Sequence, residues 1–130
     1  MFIYKDSLFV CELKASIVQQ NLIETYDYLN SSIYGDAYNQ LETRVSYILN
    51  NTDELEKKFG ICIDVRKIYP LIVVNHATYT GYQGLRIDSI NKEVAVTDYR
   101  LLKYAVENKK SLHWRFDHSG NRYIKIENDI

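Results

Sequence analysis

The chain has 130 residues, 46% of them apolar and 25% charged, with a formal net charge of −1. That is enough for one domain with a modest core, and it excludes a protein drawn to nucleic acid by a global positive field. Any contact with DNA must come from a local patch or from a neighbouring domain.

In chain order, residues 1–4 and 8–15 read as two strands around a tight turn at Lys5, Asp6 and Ser7. After Ser16 the apolar period changes from two to about 3.6. Val18, Leu22, Tyr26, Leu29 and Ile33 then form a helical stripe, with Ser16 placed to cap its start. Residues 31–36 read as a break. A second stripe runs through Tyr38, Leu41, Val45, Ile48, Leu55 and Phe59, interrupted near Asn50 and Asn51, and Gly60 is placed to end it.

Residues 61–65 read as a further strand. The clearest strand is residues 67–75, apolar on both faces as a covered parallel strand is, with Pro70 tolerable near its beginning. The polar, aromatic stretch 76–84 reads as a loop. A short strand at 94–97 leads into a helix capped by Thr97 or Asp98 and carrying Leu101, Leu102, Ala105 and Val106. Residues 112–116 and 122–126 alternate around His118, Ser119, Gly120 and Asn121 and read as a terminal hairpin. These elements predict a single α/β domain over 1–130.

Chemistry concentrates in the second strand. Alternation puts Phe9, Cys11, Leu13 and Ala15 on one face and Leu8, Val10, Glu12 and Lys14 on the other. Glu12 and Lys14 are therefore neighbours on one face, roughly 6.6 Å apart along the strand. Both reach a single bound metal, water or phosphate, and Asp6 just upstream offers a second carboxylate. The same residues also read as an ion pair on a solvated strand face, worth at most about 1 kcal/mol, with Asp6 an ordinary turn residue.

An apolar strand ending in Glu12-Leu13-Lys14 and preceded by an acid resembles the PD-(D/E)XK, or restriction-endonuclease-like, nuclease superfamily. The order of elements over residues 1–108 is similar to that family's core from its hairpin onward. The 69–75 strand and the 94–102 segment resemble the closing elements of defence-associated members. The resemblance implies a mixed central sheet flanked by helices, here followed by the C-terminal hairpin. It implies a phosphodiester hydrolase acting on DNA, with Asp6 and Glu12 holding Mg²⁺ or Mn²⁺. Lys14 would orient or deprotonate the attacking water, and Gln40, on the helix that also carries Tyr47, would position it. A nuclease-fold module without catalysis, or an oligomerisation domain, stays open beside this reading.

Elsewhere, Tyr79, Tyr82, Gln83 and Arg86 form a candidate nucleic-acid contact, since tyrosines stack on bases; an ordinary loop explains them as well. Cys11 and Cys62 lie in apolar runs without metal-ligand spacing and read as buried cytosolic thiols. No long apolar segment or leader pattern is read, so a cytoplasmic protein without membrane contact is expected. A chain that starts almost directly on a strand reads as the trailing part of something longer, and a homodimer or an added N-terminal domain remains open.

Overall fold

Two short strands open the chain, β1 (Phe2–Tyr4) and β2 (Ser7–Lys14), paired antiparallel with Phe2 opposite Phe9 and Tyr4 opposite Ser7. The turn between them is only Lys5 and Asp6, and Lys5 takes the left-handed conformation (φ 55°) that so tight a hairpin demands. The computed structural model describes residues 1–15, 20–75, 85–108, 114–116 and 122–124.

From β2 the chain crosses over through helices and returns as β3 (Ile68–Val74), parallel to β2 over its whole length. A third parallel strand, β6 (Ala95–Asp98), lies on the far side of β3. The sheet order is β1-β2-β3-β6, so the sheet is mixed, with only its β1 edge antiparallel. β3 is central, as its two apolar faces required. The fold is α/β.

Each face of the sheet buries its own cluster. Leu8, Val10, Ile68, Ile72, Val74 and Val96 face the crossover helices and meet Ile33, Ala37, Leu41, Val45, Ile48 and Leu55. Phe9, Leu71 and Ala95 point the other way, onto Leu102, Ala105 and Val106 of α4 (Tyr99–Asn108). Phe9 also stacks between Phe2 (4.8 Å) and Tyr69 (5.3 Å).

The crossover departs from expectation at three places. Its first helix, α1, is Leu22–Tyr28, and its cap is Asn21, whose Oδ1 accepts from the Glu24 amide at 2.9 Å; Ser16 lies outside the described residues. α1 buries none of its residues, so Leu22 and Tyr26 of the expected stripe are not core, and Val18 lies outside the described residues. The expected break at 31–36 does not occur. A π-helical segment, Leu29–Ala37, carries the chain straight into α2 (Tyr38–Asn50). Ile33 and Ala37 are fully buried there, and Asn30 and Ser31 bond back to the carbonyls of Tyr26 and Asp27 instead of opening the helix. Gly35 suits the wide turn: a β-carbon would come within 3.2 Å of the Asn30 carbonyl.

The helix α3 (Thr52–Phe59) ends on Gly60 in the left-handed conformation (φ 65°), as expected, although Phe59 is exposed. The strand expected at 61–65 is absent. Asp64 instead caps a short 3₁₀ turn, Val65–Lys67, through the Arg66 amide at 3.0 Å. A small hairpin unread in the sequence, β4 (Arg86–Ile87) with β5 (Lys92–Glu93), delivers Ile87 and Ile90 to the core. The terminal hairpin forms as β7 (Trp114–Phe116) and β8 (Arg122–Ile124). Among the described residues, no helix is long and apolar enough to cross a membrane.

Candidate active site

Glu12 occupies a position that the pattern of β2 reserves for core. It follows Leu8 and Val10 on the face covered by α2 and is only 6% exposed. A carboxylate stripped of water there is costly unless it is paired. Two cations pair it. Lys14, next on the same face, brings its ammonium to 4.0 Å, and the Arg44 guanidinium from α2 lies directly against Oε2. The same Arg44 Nη1 donates to the Cys11 carbonyl at 2.8 Å, tying helix to strand. Oε2 is fully buried and makes its contact with Arg44 without a well-directed hydrogen bond.

Arg44 was not foreseen. The available signal was a cation flanking the Leu41–Val45–Ile48 stripe, on the helix face shared by Gln40 and Tyr47. A buried acid on the strand beneath requires such a partner.

Beyond Phe9, no described strand pairs with the outer edge of β2. A groove of about 1230 Å³ opens there, with Glu12 and Arg44 in its lining beside Phe2, Leu13, Tyr47 and Tyr99. Its walls are chiefly apolar, combining core residues such as Val10 and Leu102 with exposed side chains, among them Leu13 and Tyr99. Lys14, Asp6 and Gln40 are not among the lining residues.

Asp6 stands apart. It lies in the turn before β2, six residues from Glu12, which along an extended strand is roughly 20 Å. There it pairs with Lys67, whose hydrogen bond is the main reason its carboxyl is held below the ordinary value. The expected sharing of one ion by Asp6 and Glu12 is therefore not met by this geometry: the strand separates them. Gln40 is exposed, one turn before Arg44 on α2, and outside the groove.

The other buried acid among the described residues, Asp98, is in the same row as Lys14 across the sheet, by way of Val74. Two strand spacings put it about 9.6 Å from Lys14. Its Oδ1 accepts from the Leu101 amide at 2.8 Å and caps α4, the role read in the sequence. Tyr79, Tyr82 and Gln83 lie outside the described residues. Arg86 belongs to the β4–β5 hairpin, where it contacts Asn91 and Asp88 and its carbonyl accepts from the Tyr38 hydroxyl at 2.7 Å. Cys11 is half-buried, and burial pushes its thiol up from its ordinary value, so it is a poor nucleophile at neutral pH.

Among the described residues, no three acids, histidines or cysteines group around one point. Mg²⁺ does not demand that many: one or two carboxylates with waters and substrate phosphate oxygens suffice. Glu12 fits this donor role through its buried Oε2, which has charge contact and no well-directed hydrogen bond. Comparison with protein-family models, curated proteins and solved structures returned no match to this chain.

Proposed function

We propose that this chain is a restriction-endonuclease-like nuclease domain that hydrolyses phosphodiester bonds in DNA with the help of Mg²⁺ or Mn²⁺. The observation that carries this reading is the buried Glu12 carboxylate facing the Lys14 ammonium at 4.0 Å, at the end of a parallel strand beside an open groove. Ligands of open α/β sheets characteristically bind beyond the carboxyl ends of their strands.

In this reading Glu12 is the protein's carboxylate ligand. A bound divalent ion supplies Lewis-acid polarisation of the phosphate and a more acidic water. Lys14 orients that water and offsets the negative charge that develops on phosphorus. The aromatic rings of Tyr47 and Tyr99 line the groove where bases can stack. Asp6 and Gln40 have no part in the step.

A second reading, a nuclease-fold module that binds nucleic acid or protein without cutting, is favoured by one observation. Among the described residues, the one carboxylate in the cluster is already neutralised by two cations. Plasmid cleavage in Mg²⁺ or Mn²⁺ decides between them. Glu12→Ala and Lys14→Ala are each expected to lower the rate by about 100-fold or more, while Asp6→Asn keeps it. Full activity in either of the first two variants refutes the nuclease reading. Salt-sensitive DNA binding without cleavage in any metal establishes the second.

A further inference from the structure

Charge balance around Glu12 leads one step further. Among the described residues, the Glu12 carboxylate contacts two cations, Arg44 and Lys14, and these three side chains sum to +1. A divalent ion added with both cations in place would raise that sum to +3 around a single buried carboxylate. Repulsion at that range in a water-poor site is strong, so either a cation leaves or an anion arrives. Lys14 is fixed to the strand two residues from Glu12, and its side chain is 22% exposed. Arg44 is 51% exposed on the far end of a long side chain, and its second bond is to a strand-edge carbonyl that water can satisfy.

We infer that Arg44 is a counter-ion latch: it holds Glu12 until a divalent cation displaces it, and its freed guanidinium then receives the phosphodiester. This rests on the nuclease reading above and assigns Arg44 as a positioning and substrate-binding residue in it. Guanidinium suits the second task, because its planar fork matches two phosphate oxygens at once. The consequence is coupling. The metal binds weakly alone and more tightly with phosphate, since the phosphate supplies Arg44 with a replacement for Glu12.

The test is Mn²⁺ binding to the intact chain, followed by loss of the free-ion paramagnetic resonance signal, with and without thymidine 3′,5′-bisphosphate. Arg44→Gln is expected to bind Mn²⁺ about ten-fold or more tightly than the wild type in the absence of the nucleotide. The nucleotide tightens Mn²⁺ binding to the wild type and has much less effect on the variant. Adding Glu12→Gln to Arg44→Gln abolishes the binding. Equal or weaker Mn²⁺ affinity in Arg44→Gln, with binding still dependent on Glu12, overturns the latch and leaves the nuclease reading standing. Absence of Glu12-dependent Mn²⁺ binding in every protein removes the metal-dependent reading and the latch together.

Should Arg44→Gln fail to fold, Arg44→Lys decides. Its ammonium keeps the charge beside Glu12 without the fork, so affinity for Mn²⁺ alone stays near wild type while the tightening by nucleotide is reduced. Undiminished tightening in that variant overturns the proposal.

Discussion

The two ends of β2 carry the same chemical types in opposite settings. At the start, Asp6 meets Lys67 in water, on a turn. At the other end, Glu12 meets Arg44 and Lys14 under a helix, beside a groove. An exposed pair is exchanged freely with solvent and salt, so it contributes little. A buried carboxylate has lost its water, and whatever approaches it is felt strongly. Burial, more than the presence of an acid, separates a turn residue from a candidate site.

The sharpest way to break this contrast is to remove one partner at each end. Arg44→Ala leaves Glu12 under-compensated and is expected to cost about 2 kcal/mol in urea unfolding. That is below the roughly 3–5 kcal/mol typical of a broken buried pair, because Arg44 is half-exposed and Lys14 remains. Lys67→Ala is expected to leave the unfolding midpoint unchanged. Equal effects of the two substitutions would erase the distinction between the ends.

Replacing both members of the buried pair sharpens it further. Glu12→Leu together with Arg44→Leu is expected to lie within about 1 kcal/mol of the wild type, or to be more stable, since no charge is left to desolvate. A double variant as unstable as the two single losses added together would show that Glu12 and Arg44 do not act as a pair.

The smallest effect is in the pH dependence at the exposed end. The folded-state value of Asp6 is lowered, chiefly by its hydrogen bond from Lys67. A carboxyl depressed on folding contributes stability above its unfolded value and loses it as pH falls through the folded one. Going from neutral pH to below about 4, the wild type should therefore lose slightly more stability than Asp6→Asn. The difference should shrink in about 1 M salt, where the charge part of the pairing is screened within roughly 3 Å.

Much of this was legible in the sequence where local rules and packing agree. The alternation of Leu8 to Lys14 gave the faces of β2 correctly, since a period of two leaves no ambiguity once one face is core. The apolar run of β3 marked the sheet centre, and Asp98 before the Leu101–Val106 stripe marked a helix start. Three features were hidden for identifiable reasons. Asn30, Ser31 and Gly35 look like a helix break, but Ile33 and Ala37 find the sheet and hold the chain helical through a wider turn. Asp64 diverts 61–65 from a strand by bonding its own neighbours. Arg44 reveals its role only when α2 is laid across β2, because no local pattern says which strand residue a helix face will meet. Asp6 illustrates the converse: nearness in sequence to Glu12 became distance, because an extended chain moves away at about 3.3 Å per residue.

The central claim is that the Glu12 end of β2, and not the Asp6 end, receives a divalent cation. Crystals of the intact chain grown with Mn²⁺, measured for anomalous scattering, test it directly. The account predicts a peak at the Glu12 carboxylate with Arg44 turned away from it. A peak at Asp6, or an undisturbed Glu12–Arg44 pair with Mn²⁺ bound elsewhere, would contradict it.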